Sequence, residues 1–351
     1  MTTRKRRQRV VLLILTLSVL LVAAGAASLV VGVVEQTPAQ TVSALVDGAR
    51  AVFLHQPYPD DALHTIVLNL RLPRLALAAL VGLCLALSGA IMQALFQNSL
   101  ADPYLLGVSS GAALGAVIAM MLGAAVAAAV SLPLFTFIGA TVVVFVVYGL
   151  AQRGGRVQTG ALLLTGIAVG SLVSAITSFI MLLLDQDLRQ VLFWLLGGLS
   201  GRGWAEVRII APVAAVGIVA TLIAIRPLNL LLLGDETAAS LGLNLQLSKR
   251  LLLALSSLLA AAAVAVSGII AFVGLVVPHV SRLLVGPDHR HLLPVAGLLG
   301  ALLMIVSDMA ARTVLGHAGL GPTELPIGII TSALGCPFFL VLLRAHGRKG
   351  L

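Results

Sequence analysis

Asp308 is the only acid well inside a long apolar run of this sequence, and Glu206 sits near the end of another. Ionisable groups at such depth are costly and mark ion or proton paths. One acid is fewer than a proton- or sodium-coupled carrier needs, so self-powered coupling loses ground. Phosphate chemistry is also missing. A P-loop needs Lys before Ser or Thr, and the three lysines are followed by Arg6, Arg250 and Gly350. Val108-Ser109-Ser110-Gly111-Ala112 is not a nucleophile elbow and reads as helix packing by small residues. Cys84 and Cys336 both lie in apolar runs, and the seven histidines show no H-x-x-x-H pair, so no disulfide framework or metal site is implied.

Hydrophobic residues fill 60% of the 351 positions and charged residues 10%. Several segments are apolar all round, which a water-facing helix is not, so the chain is an all-α integral membrane protein. Apolar runs fall near 10–34, 75–96, 104–123, 127–151, 160–184, 206–225, 250–270, 271–285, 292–311 and 326–343, giving about ten spans in one domain over 10–345. The run 271–285 is short enough to be partly re-entrant, and Val191–Leu199 is too brief to cross. The first run follows a basic tail at 1–9, but it is longer than a cleaved signal's apolar core. The stretch Arg71–Gly115, apolar on both sides of a polar break, reads as a helical hairpin with its ends in opposite compartments.

Ten spans put both termini on one side. Fifteen of the 22 Lys and Arg residues then share that side, and Arg50, Arg71, Arg74, Arg189, Arg202, Arg208 and Arg312 lie opposite. The positive-inside rule places both termini in the cytoplasm, and 346–351 becomes a cytoplasmic tail. The net charge of +9 reports topology, so no nucleic-acid partner is needed to explain it. The segment 35–70 is external. The longest internal loop, 226–249, contains Gly234-Asp235-Glu236-Thr237-Ala238-Ala239-Ser240-Leu241-Gly242. Acids after Gly234 favour a helix start and Gly242 can end it. From spacing alone it reads equally as a solvated connector or a partner-docking element.

Ordered words spread over nearly the whole chain resemble the FecCD type of permease, the membrane subunit of ABC importers for iron-siderophores, haem and cobalamin. They are Arg71-Leu72-Pro73-Arg74, Ser88-Gly89-Ala90 with Gln93, Leu100-Ala101-Asp102-Pro103, Leu106-Gly107-Val108-Ser109-Ser110-Gly111-Ala112, Trp194-Leu195-Leu196-Gly197, Leu228-Asn229 with Leu233-Gly234, Phe272-Val273-Gly274-Leu275-Val276-Val277-Pro278-His279, Asp288-His289-Arg290 and Glu324-Leu325-Pro326-Ile327-Gly328.

The resemblance implies a type II ABC importer permease fold in a bacterial inner membrane. It also implies a partner permease, a second copy or a paralogue, around a central path, two ATP-binding subunits inside and a substrate-binding protein outside. The chain itself would be a non-catalytic transport subunit that binds no cofactor, with ATP and Mg used by the partner ATPase. Arg71, Arg74 and Arg312 match arginines that bond glutamates of the binding protein; a planar guanidinium suits that task, and snorkelling anchors are the other reading. Gly234, Asp235, Glu236, Ala239, Leu241 and Gly242 match the ATPase-coupling region. Asn98, Leu100, Thr159 and Gly160 match the cytoplasmic gate, although Ser99 stands where the family usually has proline. The implied cargo is a ferric siderophore first, then haem or cobalamin, and a stand-alone secondary transporter is the competing class.

Overall fold

The computed structural model describes residues 3–32, 36–55, 61–122, 131–153, 156–157, 159–183, 188–317 and 323–347. In chain order the helices are α1 (Thr3–Val30), α2 (Pro38–Leu54), α3 (Ala62–His64), α4 (Leu72–Leu95), α5 (Val108–Met121), α6 (Ser131–Ala151), α7 (Thr159–Leu182) and α8 (Leu188–Leu195). They continue as α9 (Trp204–Ile223), α10 (Ile225–Leu231), α11 (Asp235–Ser240), α12 (Leu245–Ser267), α13 (Val273–Val285), α14 (His289–His317) and α15 (Ile327–Gly347). Seven helices are long and apolar enough to cross a membrane, and Val108–Met121, Val273–Val285 and Ile327–Val341 are shorter apolar helices. The ten apolar helices fall on the ten expected runs.

Three boundaries differ from the sequence expectation. The basic tail is the first turns of α1, because nothing in Arg4–Arg9 breaks a helix. The described parts of the 35–70 segment, 36–55 and 61–70, are largely helical: Thr37 caps α2 by accepting the Gln40 N–H, and the π-helical turn Thr65–Arg71 runs directly into α4. The 152–159 turn carries a two-residue antiparallel pair, Gln152–Arg153 with Arg156–Val157.

The core is α4, α12 and α14. The apolar windows of α4 and α12 are 72% buried, against 17% for α1 and α7, which therefore lie at the rim. With little hydrophobic drive between helices in lipid, close backbone approach does the packing. A Cβ on Gly82 of α4 would strike the carbonyl of Gly300 on α14, and one on Gly111 of α5 would strike that of Gly139 on α6.

Two of the short helices follow partly buried stretches that are not α-helical. The carbonyl of Ile269 lies against Gly328, and the ring of Phe272 against Gly335, seven residues further along α15. At 1.5 Å per residue, 268–272 therefore descends about 10 Å into the bundle before α13 begins. The segment entering α5 meets it: the Tyr104 hydroxyl donates to the Ile270 carbonyl at 3.0 Å, and Pro103 packs on Gly274. Irregular backbone at this depth is tolerated because protein, not lipid, surrounds it. The expected partial re-entrance of 271–285 is this broken span. The Val191–Leu199 stretch becomes α8 and a turn that seals the break, with Gly198 N–H donating to the Ser267 carbonyl at 2.7 Å.

Candidate docking, translocation and coupling sites

Helix α1 ends among Ser28 to Val31, and its last carbonyls have no partner within the helix and carry the negative end of its dipole. Two arginines satisfy them. Arg71 Nη1 donates to the Leu29 carbonyl at 2.6 Å and to that of Val30 at 2.7 Å. Arg312 donates to the Ser28 hydroxyl at 2.7 Å and to the Val31 carbonyl at 3.1 Å. Arg312 also pairs with Asp308 at 3.2 Å, one turn back on α14. The other oxygen of Asp308 takes Arg74, at 2.8 Å, and Arg74 reaches on to Glu324 at 2.9 Å. Asp308 is 1% exposed, so its charge depends on these two arginines. Asp308 is thus the counter-ion of a network joining α1, α4, α14 and the segment before α15. Arg71 and Arg312 are buried, and Arg74 keeps 13% of its side chain exposed.

Arg74 and Glu324 border a cavity of about 680 Å³ at the same end of the bundle. Its wall includes Arg189, Arg202, Phe193 and Trp194. Arg189 lies over the Phe193 ring, 5.7 Å from its centroid, and Arg202 is 3.7 Å from Glu206, which caps α9 by accepting the Gly203 N–H. Glu324 lies outside the spans. Burial alone would push its carboxyl up, but the bond and charge of Arg74 hold it below the usual glutamate range. All seven cations assigned to the outer side by charge counting lie at this end, on α2, the π-helical turn, α4, α8, α9, α14 and the α8–α9 turn.

The opposite end carries α11. Gly234 (φ 93°, ψ 155°) and Gly242 (φ 84°) take backbone conformations that side chains resist, and they set the two ends of this helix. Ala238 is buried and anchors it, whereas Glu236, Ala239, Leu241 and Gly242 are exposed. Asp235 turns one carboxylate oxygen back to Lys249. Sequence reasoning quoted Asn229 and Asp288-His289-Arg290 without giving them a task, and the structure joins them. Asn229 Nδ2 donates to Asp288 at 2.8 Å, and its Oδ1 accepts the His289 backbone N–H at 2.9 Å. This clasp fixes α10, and with it the α11 knob, to the start of α14. Asp288 lies below the usual aspartate range: burial opposes this, but the Arg290 N–H and the Asn229 amide prevail.

Of the expected gate residues, Asn98 is exposed and its side chain accepts the Leu100 N–H at 2.9 Å. Gln97, in the left-handed region at φ 48°, donates to the Leu231 carbonyl and ties this turn to α10. Thr159 opens α7, its side chain outside the described residues, and Gly160 is exposed. No described hydrogen bond joins the Asn98–Leu100 turn to the start of α7.

Ten apolar helices with two broken spans, a cavity bordered by charged side chains at one end and a protruding knob at the other define a multi-pass membrane transport subunit. Known proteins agree. The chain is 45% identical to the cobalamin import system permease protein BtuC of Halobacterium salinarum, over 86% of its own length and 79% of that protein's. It is 44% identical to the hemin transport system permease protein HmuU of Yersinia pestis, over 81% and 84%. A solved chain, described as an inward-facing conformation of a metal-chelate type ABC transporter, superimposes with a TM-score of 0.80 at 30% identity, covering 95% of this chain and 98% of that one. The FecCD transport family model matches residues 20–345, and this chain belongs to that family: it is an ABC importer permease.

Proposed function

We propose that this chain carries a bulky metal chelate, a ferric siderophore or the related haem or cobalamin, into the cytoplasm of a bacterial cell through its inner membrane. Two permeases, copies or paralogues, enclose the path, and both termini lie in the cytoplasm. A binding protein delivers cargo to the cavity end, and two ATP-binding subunits that use ATP and Mg grip the α11 knob. One observation carries this reading: α14, about 43 Å long at 1.5 Å per residue, joins the Asp308 network beside the cavity to the Asn229–Asp288 clasp beside the knob. Closure of the ATPase pair moves the knob, α14 and its partners follow as a body, and access alternates. The Asn98–Leu100 turn and the Thr159–Gly160 start of α7 act as the gate at the knob end.

The buried bonds of Arg71 and Arg312 refine the docking reading. Arg74, at the cavity wall, is the arginine that meets a binding-protein carboxylate, while the other two hold the α1 terminus in place. Arg74→Ala is expected to weaken binding-protein affinity at least tenfold; unchanged affinity in nanodiscs removes Arg74 from docking. The whole reading is tested by uptake of labelled ferric siderophore, haem and cobalamin into proteoliposomes carrying all subunits. ATP- and binding-protein-dependent uptake of one of them is expected, and uptake by the permease alone without ATP favours the stand-alone carrier.

A further inference from the structure

Helix α2 shows three different faces. Thr41, Ala44, Gly48 and Ala51 are buried against the protein, and Leu68 of the π-helical turn fills the space beside Gly48. Gln40, Ser43, Asp47 and Arg50, at 3-4-3 spacing, form a polar stripe. Val42, Val46, Ala49 and Phe53, at 4-3-4 spacing, form an apolar stripe that the protein leaves bare: Val42 is 59% and Phe53 81% exposed. A helix packed in the protein would bury that stripe, and one bathed in water would not carry it.

The surroundings identify what covers it. Helix α2 hangs from the outer end of rim helix α1 and touches α1, α3 and the π-helical turn. It does not line the 680 Å³ cavity. Between α1 and α4 runs an open groove of about 430 Å³ lined by apolar residues alone, among them Val22, Gly25, Leu29, Leu72, Leu75 and Ile305. It reaches Leu29 and Leu72, at the end of the bundle that carries α2. We propose that α2 is an interfacial helix lying in the lipid headgroup layer at the cavity end, its Val42–Phe53 stripe sunk among acyl chains, and that the α1–α4 groove beneath it seats a lipid tail. The polar stripe then faces water, and the amphipathic pattern matches helices whose apolar face sits about 5–10 Å into the headgroup and acyl boundary.

The test is site-directed spin labelling of the assembled transporter in phospholipid vesicles, in a Cys336→Ser background, with labels at Ser43→Cys, Val46→Cys and Phe53→Cys. Collision with oxygen should exceed collision with a water-soluble nickel chelate several-fold at 46 and 53, with the reverse at 43. Equal nickel access at all three overturns the proposal. So does strong immobilisation of 46 and 53 without oxygen access, the signature of a second copy or the binding protein on this face. A transport assay of the same labelled samples separates local misfolding from a wrong assignment: active protein with a water-exposed stripe leaves no lipid role for α2.

Discussion

The two ends of α14 are built on opposite principles. At the Asp308 end, four charged side chains, with Asp308 and Arg312 buried, tie four parts of the chain together. At the Asp288 end, the Asn229 clasp and an ion pair that leaves Asp235 46% exposed hold a six-residue helix with an exposed outer surface. The first arrangement resists change, because any one charge left alone inside is costly. The second costs little to distort, and its exposed Leu241 is ready for another surface. Stiffness sits beside the cavity, and exposed contact area sits at the α11 end.

The sharpest way to break this contrast is Asp308→Ala. It leaves buried Arg312 without its carboxylate and Arg74 with Glu324 alone, and is expected to cost about 3 to 5 kcal/mol. Thermal unfolding of the purified permease in detergent reads this directly, and a parent-like midpoint means that the network holds nothing together. The complementary change, Leu241→Asp with Glu236→Lys, alters only exposed side chains. Stability should stay within about 0.5 kcal/mol while ATPase stimulation by the binding protein and cargo is lost; normal stimulation removes α11 from coupling. Gly234→Ala lies between these. A Cβ there meets nothing within 4 Å, so its cost is backbone strain alone, about 1 to 3 kcal/mol. That cost should appear as faster amide exchange in α11 with the Asp308 end unchanged.

The bundle was legible because lipid imposes one rule: each span reads as an apolar run, and loop cations sort by side. Helix α11 was legible too, since Gly234, two acids and Gly242 are local signals. The partners of the outer arginines were not. Arg71, Arg74 and Arg312 stand at span ends, and Asp308 looks like an isolated intramembrane acid. Their relation depends on α1, α4 and α14 meeting, over separations as large as 284 residues between Ser28 and Arg312. Helix α2 was hidden for another reason: its stripes are short, and a segment of mixed polarity between spans reads as loop. The Asn229–Asp288 clasp lay across 59 residues and carried no pattern of its own.

The smallest effect gives the finest reading of the Asp308 end, because it separates charge from shape. Glu324 is held by Arg74 below its ordinary value, against the opposing effect of burial. A carboxylate so depressed contributes stability that is fully present above the unfolded value, about 4.3, and is lost as pH falls through the folded one. Glu324 is one-quarter exposed, so the contribution is about 1 kcal/mol. Glu324→Gln keeps the shape and removes the charge. Its unfolding midpoint should lie below the parent's at pH 7, and the two curves should converge as the pH drops below 4. A gap that persists in acid means that the amide disturbs packing at the cavity wall, and the contact with Arg74 would then be geometric rather than electrostatic.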